Sequence, residues 1–600
     1  MTTNPDNVKA LRAELASRNL DGFIVPLTDE HMSEYVGSYA ERLGWLTGFG
    51  GSAGNAAVLA DKGAIFIDGR YTLQVADQVD GNVFEHHHFQ EMPLLTWLAE
   101  NAPAGGKVGY DPELATVTWV ETAEAAFEKA GLNLVPTTDN PIDAVWSDRP
   151  AEPMAPVFVL EEKYAGRTAA EKRADIAEVL AGEGADAAVV TMLDSVAWAF
   201  NIRADDVWNT PVAHAFAVLR ADESATLFVN LEKVDESVRT ALGNRVSIEP
   251  RSAFYEHLAG MGADGQRVLV DRATNNAKIF DVLSSSGATL QEGTDPCILP
   301  KAIKNPTEQQ GTRDAHIRDG AAITEFLHWV SVEAPKGTVD ELKAVAKLWS
   351  FRQKRELLQD NSFDTISASG PNGAHCHYRV DETSNRPLDM DSLYLCDSGG
   401  QYFDGTTDIT RTMPVGTPST EMRENFTRVL KGHIALATAK VPTGTSGAAL
   451  DSLARRPLWD AGLDYDHGTG HGVGSYLAVH EGPQRIAKGS SDVPLEPGMI
   501  LSNEPGYYKA GEYGIRIENL VLVRALEGAD AGEPGRHMMG FETLTHAPIE
   551  RSLVVTSMMD EAELAWLNNY HADVYTKISP LVEGEALAWL EKATAPITEV

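Results

Sequence analysis

Residues 397–412 read DSGGQYFDGTTDITRT and carry two aspartates in strand-like surroundings. Asp397 ends a short apolar run, and Asp408 lies in a second strand-like run, 407–412, after a glycine-rich turn. A hairpin would bring the two carboxylates together, and like charges at close range demand a metal ion or a shared proton. Asp404, in the turn between them, is predicted to be solvated.

Two later stretches add further polar residues to apolar surroundings. HGTGHGVG, residues 467–474, holds four glycines that let the backbone bend tightly. One imidazole from it is a plausible metal ligand, although either histidine alone would more often be a hydrogen-bonded turn residue. SNEPGYY contains Glu504, and GIRIENLVLV, 514–523, contains Arg516 and Glu518 before an apolar run without alternation. This pattern predicts a strand buried on both faces, rather than an edge strand with an exposed ion pair.

Two aspartates, two glutamates and one histidine would form an oxygen-dominated ligand set. Such a set suits Mn²⁺, with Co²⁺, Fe²⁺ or Zn²⁺ as substitutes. Four carboxylates exceed the need of one ion and fit a two-metal site with bridging carboxylates.

Composition bounds the class of protein. The 600 residues are 43% hydrophobic and 23% charged, which is typical of a globular protein. Three cysteines are too few for a disulfide framework and favour a cytoplasmic protein. The net charge of −37 disfavours nucleic acid and anionic membranes as partners. No apolar run approaches the roughly 20 residues of a membrane helix, and the N-terminus lacks an apolar signal core.

The order of strand and helix signals predicts an α/β and α+β protein with an internal repeat. In 1–150 a strand near Gly22 precedes an aromatic helix, and in 151–302 a strand near Ala187 precedes another. We therefore expect two related α/β domains there. A third domain, 303–600, mixes helices with long strands and ends in a helical tail from about 540. It has no GxGxxG after a strand and no P-loop.

In this order the motifs resemble the metal-dependent Xaa-Pro aminopeptidases (aminopeptidase P), relatives of prolidase, methionine aminopeptidase and creatinase. RLGWLTGFGGSAG and IDGRYTLQ resemble the first domain of the long, three-domain form, and LDSVAWAFNIR its second. GPNGAHCHY, DYDHGTGHGVGSYLAVHEGP, EPGYY and GIRIENLVLV resemble the catalytic domain, and WLNNYH and EALAWL the tail. The resemblance implies two creatinase-like N-terminal domains followed by a pita-bread catalytic domain.

The resemblance also assigns roles to individual residues. The implied metal ligands are Asp397, Asp408, His471, Glu504 and Glu518. The implied catalytic and substrate-binding residues are His377, His467 and His480, with Glu504 as a further catalytic residue and Arg70 and Arg516 on the substrate side. Arg516 is expected to keep Glu518 ionised rather than to touch substrate.

The function implied is release of an N-terminal residue from peptides with proline in the second position. Two divalent metals, Mn²⁺ first among them, would make hydroxide available from water and polarise the scissile carbonyl. The alternatives are a prolidase-type dipeptidase and, from another class, a metal-free pita-bread peptide-binding module. The long form further implies a homodimer.

Overall fold

The chain, described here by a computed structural model over residues 2–489 and 493–598, forms two compact units. The first consists of the described residues up to Glu161 together with Arg167–Ile298. The second consists of Glu162–Gly166 and the described residues from Leu299 onward. Within these ranges no helix combines the length and apolarity that crossing a bilayer requires.

The first unit contains two six-stranded sheets with the same pairing pattern. Across each sheet the neighbours are parallel, antiparallel, antiparallel, parallel and parallel. In spatial order the first sheet is Glu85–His88, Gly63–Ile67, Asn55–Leu59, Gly22–Pro26, Lys107–Tyr110 and Asn133–Pro136. The second is Val246–Glu249, Ala225–Val229, Ala215–Arg220, Ala187–Val190, Arg267–Val270 and Thr289–Glu292. The predicted internal repeat is confirmed.

Helices pack on both sheets and have local sequence signals at their ends. The helices of eight or more residues in this unit are Pro5–Ser17, Leu94–Asn101, Val117–Ala130, Ala169–Glu183, Leu193–Phe200, Phe254–Ala263 and Ala277–Ser286. Ala169–Glu183, for example, begins at a capping box of Thr168 and Glu171. It ends at Gly184, which takes the left-handed conformation that glycine adopts without steric cost.

The second unit combines long helices with four small or medium sheets. Its helices of eight or more residues are Pro306–Glu333, Glu341–Arg352, Thr420–Ala437, Ala448–Trp459, Glu561–Ile578 and Gly584–Ala593. The six-stranded sheet is Val441–Pro442, Met538–Thr543, Asn519–Ala525, Ile500–Asn503, Gly470–Gly472 and Glu481–Ile486. The others are Ile366–Ser369, Ser392–Ser398 and Ile409–Val415; Leu358–Asn361, Gly400–Tyr402 and Gly405–Thr406; and Gly506–Lys509 with Tyr513–Arg516.

The predicted hairpin around the two aspartates is confirmed. Strands Ser392–Ser398 and Ile409–Val415 are antiparallel neighbours, and Asp397 lies opposite Thr410. The prediction that Asp404 is solvated was wrong, because its side chain is buried and forms an ion pair with Arg318. Helix Pro306–Glu333 covers this turn so closely that a Cβ at Gly311 would lie 2.4 Å from the Asp404 carbonyl oxygen.

The single strand predicted over 514–523 is two strands in different sheets. Tyr513–Arg516 pairs with Gly506–Lys509, whereas Asn519–Ala525 pairs with Ile500–Asn503. Between them the Glu518 amide donates to the Thr410 carbonyl at 3.2 Å. The chain therefore changes sheets at Glu518, a rearrangement that the apolar pattern alone does not reveal.

Helix Glu561–Ile578, the longer of the two helices near the C-terminus and termed the C-terminal helix, is part of the core of the second unit. Its side chains Leu567 and Val574 are fully buried, and Tyr570 is 7% exposed. Burying one such aliphatic side chain contributes roughly 1.5–3 kcal/mol. The helix begins at a capping box of Asp560 and Glu563. The predicted helical tail is thus an integral layer of this unit.

Candidate metal centre

Strand ends bring three of the predicted ligands within reach of one ion. Asp408, His471 and Glu518 each offer one ligand atom, and these atoms lie within 4.8 Å of one another. Asp408 directly precedes strand Ile409–Val415, and His471 is central in strand Gly470–Gly472. The three come from separate parts of the unit, and close packing of the strands is what assembles them.

Glu504 extends this cluster from the neighbouring strand end. Its Oε1 lies 3.4 Å from Nε2 of His471, and the same nitrogen lies 3.5 Å from Oδ2 of Asp408. The Glu504 amide donates to the Thr469 carbonyl at 2.9 Å, and its Oε1 accepts from the Ser502 hydroxyl at 3.1 Å. Both bonds fix the carboxylate beside the imidazole.

One hydrogen bond sets the tautomer of His471. Its Nδ1 lies 2.9 Å from the Gly472 carbonyl oxygen, which can only accept. Nδ1 therefore carries the proton in the neutral ring, and Nε2 presents its lone pair to Asp408 and Glu504. Such an outer bond is the usual way in which a protein orients an imidazole ligand.

The electrostatics of the cluster call for positive charge. Burial raises the pKa of Asp408 well above its usual range, and the nearby Asp397 and Glu504 carboxylates raise it further. Burial, followed by the charges of Asp408 and Asp397, does the same to the pKa of Glu518. Buried Oδ1 atoms of Asp397 and Asp408 have no hydrogen-bond donor among the described residues. A donor set of four carboxylates and one imidazole with unsatisfied oxygens fits divalent ions.

Arg516 forms its direct ion pair with Asp397. Its Nη2 donates to Oδ2 of Asp397 at 2.6 Å, so its ion pair is with Asp397 rather than Glu518. Its Nε donates to the Thr410 hydroxyl at 3.0 Å, and that hydroxyl donates to Oε2 of Glu518 at 2.7 Å. Thr410 is therefore the direct partner of Glu518. The positive charge of Arg516 nevertheless lowers the pKa of Glu518, as the sequence led us to expect, although 516 and 518 do not share one strand.

Tyr508 belongs to the site and was missed in the sequence. Its hydroxyl donates to Nε2 of His467 at 2.8 Å and accepts from Nη1 of Arg516 at 2.6 Å. Nδ1 of His467 lies 2.7 Å from the Gly468 carbonyl, which fixes the matching tautomer. Tyr508 lies in EPGYY, four residues after Glu504. This position was a weak signal, because the same sequence is also typical of an ordinary strand.

His480 lies against the metal-ligand cluster. Its ring meets that of His471 edge-on, with centroids 4.3 Å apart. The next residue, Glu481, is completely buried and forms ion pairs with Lys301 at 2.9 Å and with Lys304. This buried triad holds the backbone beside His480 in place.

His377 lies in a loop that is tied down on both sides. The carbonyl of Cys376 accepts from Nη1 of Arg516 at 3.1 Å. The buried carboxylate of Glu341 accepts from the Asn372 amide at 3.0 Å and from the Tyr378 hydroxyl at 2.9 Å. The loop therefore connects through Arg516 to Asp397, a predicted ligand.

Arg70 lies in the first unit, at the turn after strand Gly63–Ile67. Its Nε and Nη2 donate to the carboxylate of Asp68 at 3.0 and 2.7 Å, and its Nη1 lies 3.9 Å from Glu34. The guanidinium is 18% exposed. Its orientation is therefore set by acidic neighbours within its own domain.

Comparison with known proteins gives a consistent family assignment along the chain. Models of the creatinase/prolidase N-terminal domain match residues 7–145 and 148–308. The model of metallopeptidase family M24 matches 310–525, and that of the C-terminal region of peptidase M24 matches 537–597.

Similar proteins share the full length. A probable Xaa-Pro aminopeptidase P of Laccaria bicolor is 41% identical, with 99% of this chain and 93% of that protein covered. One of Coprinopsis cinerea is 41% identical, with 98% and 97% covered. The crystal structure of Caenorhabditis elegans X-prolyl aminopeptidase, described as a cytosolic enzyme with a di-nuclear active site, superposes with a TM-score of 0.95 at 34% identity and full coverage of both chains.

The raised carboxyl pKa of Asp408 predicts how stability depends on pH without metal. A carboxyl whose folded pKa exceeds its unfolded value, about 3.9, loses stabilisation as pH rises from about 4 through the folded pKa. Asp408→Asn has no such proton to lose. We therefore expect the melting temperature of Asp408→Asn minus that of the parent, measured by calorimetry in the presence of a chelator, to be larger at pH 8 than at pH 5. Asp460→Asn, whose side chain is 71% exposed, is the control, and parallel pH curves for Asp408→Asn and the parent would contradict the prediction.

Proposed function

The chain belongs to metallopeptidase family M24, among the Xaa-Pro aminopeptidases P, and from this premise we propose that it releases the N-terminal residue from peptides whose second residue is proline. It is a metal-dependent hydrolase by family. The observation that carries the proposal is the cluster of Asp408, His471 and Glu518 in a chain similar to such enzymes over its whole length. Prolidase activity is the disfavoured alternative, since a Bacillus anthracis Xaa-Pro dipeptidase is 24% identical over 64% of the chain and shares only the fold.

The four carboxylate residues and one histidine support the binding of two divalent ions. We propose that these ions are Mn²⁺, with Co²⁺, Fe²⁺ or Zn²⁺ as substitutes. When bound, such ions polarise the scissile carbonyl and lower the pKa of water. We assign Asp397 to one ion and His471 with Glu504 to the other. Asp408 and Glu518, between these groups, would contact both. The 3.4 Å separation of His471 from Glu504 and the separate location of Asp397 beside Arg516 support this division.

The remaining polar residues suit binding and proton transfer. The bond to be cleaved has a tertiary-amide nitrogen, which must be protonated as proline leaves. We propose that His377 and His480 contact the oxygen of the tetrahedral intermediate and the leaving proline nitrogen. His467, hydrogen-bonded to the Tyr508 hydroxyl, would line the proline pocket. Glu504 is both ligand and candidate acceptor of the water's proton.

A cytoplasmic location and a peptide substrate complete the proposal. All three cysteines are buried and outside any disulfide among the described residues, as expected in a reducing compartment. The C. elegans relative is described as cytosolic. A metal-free peptide-binding role is the remaining alternative of another class, and metal analysis after gentle purification separates it from a peptidase.

The direct test of the proposal is hydrolysis of an Xaa-Pro-Xaa tripeptide beside an Xaa-Pro dipeptide. We expect turnover of the tripeptide, its loss on chelation and its return with Mn²⁺. Asp408→Ala should lower kcat by at least about a hundredfold, since its carboxylate would serve both ions. Asp460→Ala, whose side chain is 71% exposed, is the matched control. Full turnover by a metal-stripped sample, or cleavage of the dipeptide alone, would refute the proposal.

We further propose that Arg70 shapes substrate choice by binding a peptide carbonyl or terminal carboxylate. An arginine provides two aligned donors for such groups. Because this contact is remote from the scissile bond, Arg70→Ala should raise KM for a tripeptide several-fold and change kcat less. Arg18→Ala, which removes an arginine paired with Asp139 in the same domain, is the control. Unchanged kinetics on peptides of two, three and five residues would show that Arg70 only stabilises its turn.

The long form of this family also leads us to propose a homodimer. The net charge of −37 opposes association weakly, because salt screens exposed charges beyond about 8–10 Å. Light scattering at physiological salt and micromolar protein should give twice the chain mass of 64.9 kDa. A particle of one chain mass under these conditions would contradict the prediction.

A further inference from the structure

Arg411 is a buried arginine three residues beyond the ligand Asp408. It is 3% exposed. Its Nη1 donates to the carbonyl oxygens of Glu518 at 2.6 Å and Thr410 at 2.9 Å, and its Nε donates to that of Pro548 at 3.0 Å. In the described part of the chain its hydrogen bonds go to neutral oxygens. A buried guanidinium without a directly bonded carboxylate is costly, so this placement calls for a specific role.

The C-terminal helix supplies one of these oxygens. Tyr570 lies in Glu561–Ile578, and its hydroxyl accepts from Nη2 of Arg411 at 2.8 Å. The same hydroxyl donates to the Ala547 carbonyl at 2.8 Å. Nη2 of Arg411 also donates to Oδ1 of Asn519 at 2.8 Å. Tyr570 thus fixes the outer end of the guanidinium while the inner end holds the backbone of Glu518.

The network continues from Asn519 to the other glutamate. Nδ2 of Asn519 donates to Nε2 of His433 at 3.2 Å, and Nδ1 of His433 donates to the Asn503 carbonyl at 3.1 Å. Asn503 lies opposite Asn519 in the sheet. Asn519 directly follows Glu518, and Asn503 directly precedes Glu504. One buried chain of bonds therefore contacts the backbone next to both glutamates.

We propose that Tyr570 is a positioning residue for the metal centre, acting through Arg411 on Glu518, so that the C-terminal helix is part of the catalytic apparatus. The inference rests on the proposed function, in that Glu518 is taken as a metal ligand. It extends that function to a segment with no ligand of its own.

The location of Glu518 explains why it needs this support. It lies between two strands that belong to different sheets, so neither strand's ladder fixes it. Its carbonyl is held by Arg411, its amide by the Thr410 carbonyl, and its carboxylate by the Thr410 hydroxyl. Removing the Tyr570 hydroxyl leaves Nη2 of Arg411 with one acceptor fewer in a buried site. Nη2 then keeps its bonds to Oδ1 of Asn519 and to the Ala547 carbonyl, so the guanidinium shifts toward them and the Glu518 backbone held by Nη1 shifts with it.

The test compares Tyr570→Phe with Tyr575→Phe in the full chain. Tyr575 lies on the same helix but is 37% exposed, so its change removes a hydroxyl without touching the network. Mn²⁺ affinity is measured by equilibrium dialysis of metal-stripped protein, and the Co²⁺ form by its visible absorption spectrum. Loss of an outer partner of a metal ligand typically costs about 10–100-fold in affinity or activity.

We expect Tyr570→Phe to weaken Mn²⁺ binding at least tenfold, to alter the Co²⁺ spectrum and to lower kcat more than it changes KM. The melting temperature of the metal-free variant should stay close to that of the parent. Tyr575→Phe should match the parent in all four measurements.

Unchanged Mn²⁺ affinity and Co²⁺ spectrum in a folded Tyr570→Phe would overturn the inference, whatever its stability. Arg411→Lys is the second variant, because it keeps the charge but cannot reach the same oxygens. If Tyr570→Phe does not fold, parent-like metal binding by Arg411→Lys overturns the inference, and weakened binding supports it. Failure of both variants to fold also overturns it, since the network would then serve the fold. A parent that binds Mn²⁺ but leaves Xaa-Pro peptides uncut contradicts the proposed function, not this inference.

Discussion

Repulsion among buried carboxylates is the constraint on which the second unit depends. Asp408 and Glu518 are almost fully buried within reach of one another, an arrangement that costs free energy until protons or cations neutralise it. The fold offsets part of this cost by giving two of the acids a fixed donor. Asp397 is held by Arg516, and Glu518 by Thr410. The result is a preformed anionic cluster. Some of its buried carboxylate oxygens have no hydrogen-bond donor among the described residues and therefore suit a bound cation.

Close backbone approaches make this cluster geometrically possible. A Cβ at Gly470 would lie 2.1 Å from the Ser502 carbonyl oxygen, so only glycine lets the strand of His471 approach that of Glu504 so closely. At Gly514 a Cβ would lie 1.7 Å from the carbonyl oxygen of Gly373, at the base of the loop that carries His377. Gly470, one of the glycines from which the sequence predicted tight bending, is therefore also a position of tight packing.

Neutral hydrogen-bond partners orient the aromatic and imidazole groups around the acids. His471 and His467 each contact a following carbonyl through Nδ1, which leaves Nε2 to face the cluster or Tyr508. The same logic operates one layer further out, where Arg411 joins Glu518 to the C-terminal helix. The Arg411–Tyr570 hydrogen bond joins residues 159 positions apart in the chain.

The sequence by itself determined the features that local pattern encodes. The hairpin of Asp397 and Asp408 and the repeated α/β arrangement of the first unit follow from strand, turn and helix signals a few residues apart. Tertiary structure alone decided the burial of Asp404 by Arg318, the change of sheets at Glu518, the pairing of Arg516 with Asp397 and the part played by Tyr508. The Arg516–Asp397 pair, for instance, joins residues 119 positions apart. Hydrophobic periodicity reports which face of an element is buried, but the partner that neutralises a buried charge is chosen by three-dimensional proximity, which no local pattern contains.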